Sequence, residues 1–255
     1  MKKRVIVISS IIAGIIVIGL FFFWVLMPRI TLYKMVNNYL PSIDKSAEYF
    51  TDFSITNNDV ITINNGYVSL KIPSSFKPSE SSTGLIPYLY QNEETQEGIM
   101  LMAEQSNMSD LNLLNPTMYK DIEGIPDNLA LDEIIDGFEM LGNGLPDSAY
   151  GTYKCMLLTD RDDYSFWNLK KGICFSISAV LKEIIISSYD EILLYEKDDI
   201  RGLIFIYPNH NSEDSTIGLV FDIYNADDLN TVQTLIINVN SLDTAYGIIN
   251  SVEFI

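Results

Sequence analysis

The sequence holds one histidine and two cysteines, and it lacks the short motifs that would put either residue type to chemical use. Zinc takes three or four Cys, His or carboxylate ligands. Neither cysteine has a metal-like setting: Cys155 sits in YKCMLL and Cys174 in GICFSI. There is no Cys-x-x-Cys pair, and no G-x-S-x-G presents a serine on a sharp turn. No G-x-x-x-x-G-K-[ST] or G-x-G-x-x-G stretch offers a phosphate cradle. A Ser-His-Asp or Cys-His arrangement would have to use His210, which reads in YPNHNSED as an exposed loop residue. The sequence therefore nominates no catalytic residue and no cofactor.

Positive charge is also scarce. Sixteen Lys and Arg face 34 Asp and Glu, a net charge of −18, and every acidic residue falls after position 43. A surface this negative repels nucleic acid and anionic lipid, and excludes both as ligands. It suits cations, basic partners or plain solubility.

The most informative absence is charge between Val5 and Met27. These 23 residues, VIVISSIIAGIIVIGLFFFWVLM, carry none. As a helix they cover about 34 Å, enough for a hydrocarbon core of about 30 Å. A secretory signal has a shorter apolar region and a small-x-small cleavage site, whereas this run ends in bulky residues before Pro28. No cysteine follows for a lipid attachment. The expectation is a retained signal-anchor over 5–27. Lys2, Lys3 and Arg4 then fix residues 1–4 as a cytoplasmic tip, with the bulk of the chain outside the cell membrane. Trp24 falls near the far interface, and Ser10 and Gly14 have a small-xxx-small spacing that would let two helices approach.

Residues 28–58 read as a juxtamembrane stalk and 59–255 as one extracytoplasmic domain. That length supports a real core. The first hairpin is DVITINNGYVSLKIP, where Asn65-Gly66 supplies the positive φ a tight turn needs. Pro73 ends its second strand, SSFKPSESSTG is a surface loop, and a second hairpin turns at Glu93-Glu94 into a buried strand, Ile99 to Ala103. A helix capped by Asp127 carries Leu131, Ile134, Ile135, Phe138 and Leu141 and stops at Gly142. PDSAYGTYKCMLL reads as a helix capped by Asp147, with Tyr150, Tyr153, Met156 and Leu157 on one face, or as a strand. A long helix over 163–186, capped by Asp163 or Ser165, has the stripe Phe166, Leu169, Ile173, Ile177, Val180, Leu181 and Ile184. The end returns to strands: a hairpin at Asp198-Asp199, STIGLVFDIYN and TVQTLIINVN. A short helix capped by Ser241 and a last strand close the chain. Segregated runs of this kind predict an α+β domain: an antiparallel sheet with packed helices, preceded by one N-terminal transmembrane helix.

The strands GYVSLKIPSSFK and GIMLMAEQS, the terminal meander and the closing NSVEF resemble the Mog1/PsbP-like fold, which membrane-anchored bacterial surface proteins use. The helices at about 127–186 would be an insertion in it. The resemblance implies a binding or assembly module, because the fold carries no shared chemistry.

The candidate metal ligands are Asp160, Asp162 and Asp163 in DRDDYS, carboxylates of the kind Ca²⁺ takes. The stretch is no EF-hand: it has no Gly at the sixth position, and Lys171 stands where the closing Glu belongs. Its other reading is a loop with a helix cap. Cys155 and Cys174 are either free buried thiols or, in an oxidising compartment, a disulfide. Two functions follow. One is a non-catalytic binding or assembly module, anchored through residues 5–27, with a protein partner in the envelope. The alternative is an envelope hydrolase that uses a carboxylate pair, with or without Ca²⁺.

Overall fold

The computed structural model describes residues 16–43, 47–51, 59–79, 88–119, 122, 125–126, 129–207 and 216–255. The strands are β1 (Glu48–Tyr49), β2 (Val60–Asn64), β3 (Val68–Pro73), β4 (Lys77–Pro78), β5 (Tyr88–Asn92), β6 (Glu97–Leu101), β7 (Ser106–Asn107), β8 (Glu191–Lys197), β9 (Ile200–Ile206), β10 (Ile217–Asn225), β11 (Asp228–Val239) and β12 (Glu253–Phe254). The helices are α1 (Met27–Ile43), α2 (Leu131–Leu141), α3 (Ala149–Leu158), α4 (Leu169–Ile186) and α5 (Leu242–Asn250).

Nine strands form one sheet, ordered β1-β8-β9-β10-β11-β6-β5-β4, with β7 also paired to β11. The chain is thus α+β with a large sheet and packed helices, but the sheet is not wholly antiparallel as expected. β1 runs parallel to β8, with Glu48 opposite Leu193. The reason is the path of the helices that precede these strands. α1 and α4 begin side by side, where Arg29 meets Trp167, so both bring the chain to the same edge in the same direction.

The apolar runs EILLY and GLIFI are nearly unbroken because both faces of the sheet are covered. Alternate side chains point opposite ways. Ile192, Leu194, Leu203 and Phe205 pack with Ala149, Tyr150 and Leu157 of α3 on one face. Leu193, Tyr195, Ile204 and Ile206 face the other core, with Val68, Leu70 and Ile72 of β3 and Ile248 and Ile249 of α5. That second cover is a separate three-stranded sheet, β12-β3-β2. Its hairpin turns where expected. Gly66 has φ +91°, and Asn65 Oδ1 accepts from Tyr67 N and Val68 N at 3.0 Å each. The turn at Asp198-Asp199 also forms, with Asp198 at φ +52°.

All three central helices form, with different caps. Asp127 lies outside the described residues, and the N-cap of α2 is Ala130, which makes no side-chain cap bond. α3 is capped by Ser148 rather than Asp147: Ser148 Oγ accepts from Gly151 N at 3.1 Å. Its apolar residues do not make one stripe. Tyr150 and Leu157 join the sheet core while Met156 joins the helical one, so α3 is buried between two layers. α4 is capped by Asn168, whose Oδ1 accepts from Lys171 N at 3.2 Å, not by Asp163 or Ser165. Ile173 and Ile177 are buried as expected, but Ile184 is 63% exposed and Lys182 is fully buried. Lys182 Nζ donates to the Thr159 carbonyl at 2.6 Å, bracing α4 against the end of α3.

Of the residues expected as a stalk, the described Leu32, Val36, Ala47 and Phe50 are buried in the body. From Ile16 the chain is helical through a π-turn at Phe22–Leu26 and on into α1. Ile16–Asn38 is long and apolar enough to cross a membrane. Its large side chains from Ile16 to Met27 are mostly exposed, whereas Leu32 and Val36 are 2% and 3% exposed, buried among Phe138, Ile173 and Ile177.

Candidate functional site

The clearest concentration of polar chemistry lies in a cleft of about 440 Å³. It runs between the start of α3, the loop at 143–147 and the β8–β9 hairpin, and its charged lining is Asp147, Lys154, Glu196 and Arg201. α3 projects Tyr150 and Lys154 from the same face because they are four residues apart. Both reach Glu196 on β8. Lys154 Nζ lies 2.7 Å from Glu196 Oε1, and Tyr150 Oη donates to the same oxygen at 3.0 Å.

These contacts set the protonation states. Burial alone would raise the Glu196 carboxyl, but hydrogen bonds from Lys154 and Tyr150, with the positive charges of Lys154 and Arg201, bring it below its ordinary value. Burial would lower Lys154, and its bond to Glu196 and that carboxylate's charge reverse this and raise it. Tyr150 is pushed far up, first by burial and then by the Glu196 charge. The carboxylate stays ionised, the ammonium stays charged and the phenol stays protonated across the neutral range.

A second cleft of about 210 Å³ lies beside β10 and is lined by Tyr153, Tyr189, Phe205 and Asp222. Burial raises the Asp222 carboxyl, and a 2.7 Å bond from the Thr234 hydroxyl offsets part of that rise. Tyr189 packs its ring on Phe205 and Tyr207, with centroids 4.8 and 4.9 Å away.

The structure gives the sequence candidates local roles. Asp160 and Asp163 form a capping box around the 3₁₀ turn Arg161–Asp163. Asp160 Oδ1 accepts from Asp162 N at 2.8 Å, and Asp163 Oδ2 accepts from Asp160 N at 3.1 Å and from Asn143 Nδ2 at 3.2 Å. Asp162 points to solvent. Among the described residues no group of three or more His, Cys, Asp or Glu is placed to hold a metal ion. His210 lies outside the described residues. Cys155 and Cys174 are free and buried, each thiol pushed by burial up to about 12.

Sequence reasoning did not select Tyr150, Lys154 or Glu196 as a group. The usable signal was Lys154 inside the apolar run YKCMLL, since a cation on a buried helix needs a partner. Which of 34 acids answers it was not readable, because 42 residues separate the pair. No family model and no curated protein matches the chain.

Proposed function

We propose that this chain is a single-pass membrane protein whose exterior domain is a non-catalytic binding module, with the Lys154–Glu196 cleft as its ligand site. Residues 1–4 lie in the cytoplasm, 5–27 cross the membrane, and the domain sits directly outside. The burial change along the first helix supports this placement: exposed apolar side chains up to Met27, then Arg29, then side chains turned into the domain. The Mog1/PsbP-like resemblance points the same way, since that fold has no common chemistry.

The observation that carries the non-catalytic reading is the direction of the shifts in the cleft. General acid–base catalysis wants a group that titrates near the working pH. Here the acid is pushed down and the base and phenol are pushed up. Asp147 lines the same cleft, yet a hydrolytic pair needs one carboxyl held protonated, and Glu196 is tuned against that. Fixed charges of both signs suit recognition of a polar segment, such as an exposed loop or terminus of an envelope protein.

The test uses full-length protein in lipid nanodiscs, probed with an array of short synthetic peptides bearing free or blocked termini. Saturable binding that Lys154→Met and Glu196→Gln both weaken is the expected result. Steady turnover of chromogenic esters, phosphoesters or glycosides that Glu196→Gln abolishes would overturn the reading in favour of a hydrolase.

A further inference from the structure

The chain has two tryptophans, Trp24 and Trp167, and both are left open: 78% and 70% exposed. Trp24 lies in the apolar run. Trp167 lies 143 residues later, in the loop 164–168 ahead of α4, yet the fold returns it to the end of that run. Arg29 joins them. Its guanidinium donates through Nη1 to the Val25 carbonyl at 2.5 Å and through Nη2 to the Trp167 carbonyl at 3.4 Å. The loop is further held by rings. Phe166 packs edge-on against Trp167 at 5.1 Å and against Tyr33 at 6.3 Å, and Tyr164 meets Tyr33 at 5.9 Å. The Trp167 backbone therefore lies within reach of the Arg29 guanidinium, which is itself held at the Val25 carbonyl, beside the end of the apolar run.

Met140 extends the same rim. It is 46% exposed, and Asn168 Nδ2 lies 3.1 Å from its sulfur. A large indole fixed in water by a well-held loop has no packing explanation, whereas an indole at the headgroup level is in its favoured place. The net charge of −18 argues against a broad electrostatic attachment to a membrane and leaves the aromatic rim as the feature that suits one.

We propose that the loop 164–168 is a second membrane contact. Trp167, flanked by Phe166 and Met140, enters the headgroup–acyl boundary of the leaflet from which the anchor emerges, and so fixes how the domain is tilted on the membrane. The occupant is the phospholipid bilayer itself. This rests on the reading of residues 5–27 as a membrane span.

The experiment reconstitutes full-length protein into phosphatidylcholine vesicles containing lipids brominated high on the acyl chain. Trp24→Phe leaves Trp167 as the only indole, and Trp167→Phe leaves Trp24. The expected result is quenching of Trp167 to an extent comparable with Trp24, together with shielding from iodide. If Trp24 is quenched by bromolipid while Trp167 is not and is open to iodide, the second contact is wrong and the anchor stands. If Trp167 is shielded from iodide but untouched by bromolipid, protein covers it, and the proposal also falls. If neither indole is quenched by bromolipid, the membrane span itself is wrong.

Discussion

Lys154 Nζ and Glu196 Oε1 lie 2.7 Å apart, on a helix and a strand that meet only in the folded chain. Because the folded state holds Glu196 below its ordinary value, this carboxylate adds stability above the unfolded carboxyl value of about 4.3. That contribution is lost as pH falls through the lower folded value. Glu196→Gln should be less stable than the wild type near neutral pH, by about 1 kcal/mol given the partial exposure of the pair. The gap should close in acid. Melting curves at both pH values check it.

Asp222 carries the opposite sign. Burial raises its carboxyl above the ordinary value, so its charge costs stability once pH exceeds the unfolded value, and acid relieves the cost. Asp222→Asn keeps an acceptor for the Thr234 hydroxyl. It should raise the melting temperature at neutral pH, by roughly 2 to 4 °C for each kcal/mol released, and change little in strong acid.

A stable fragment of the domain must begin no later than α1. Leu32 and Val36 are buried in the helical core, and β1 pairs with β8. Burying each of those side chains contributes about 1.5–3 kcal/mol. A fragment starting at Met27 should melt cooperatively. One starting at Asp59 should melt lower or lose its near-ultraviolet circular dichroism signal.

Gly137 tests the contact between α2 and α4. A methyl group there would stand 2.9 Å from the Lys170 carbonyl oxygen and against Cys174 Sγ. Alanine gains up to about 1 kcal/mol in helix propensity, and overpacking costs about 1–3 kcal/mol. Gly137→Ala should therefore destabilise. Gly247, also helical, has open space around the same position, and Gly247→Ala should stabilise. Urea titration of both variants decides the pair.

Legibility in the sequence followed the range of the interactions. The Asn65-Gly66 and Asp198-Asp199 turns depend on neighbouring residues, and both form where the sequence predicts them. The long periodic stripe gives α4, although Ile184, part of that stripe, is exposed, and the burial of Lys182 depends on the Thr159 carbonyl of another element. The parallel β1 was hidden for two reasons: a two-residue strand has no periodicity, and its direction is set by the path of α1. The cleft was least legible. Tyr150, Lys154 and Glu196 each read as ordinary residues of their own elements, and only the packing of α3 on β8 makes them a group.

The membrane crossing of residues 5–27, with the domain outside, underlies both the proposed ligand site and the second membrane contact. Cys155 and Cys174 are buried with thiols raised to about 12, so they stay silent to a maleimide that cannot cross membranes. Single cysteines placed at Lys3 and at exposed Glu94 then report topology in intact cells. Labelling of Glu94→Cys with Lys3→Cys protected until lysis, both in membrane-bound full-length protein, is the predicted result. Labelling of Lys3→Cys with Glu94→Cys protected, or release of the domain into the medium, would contradict it.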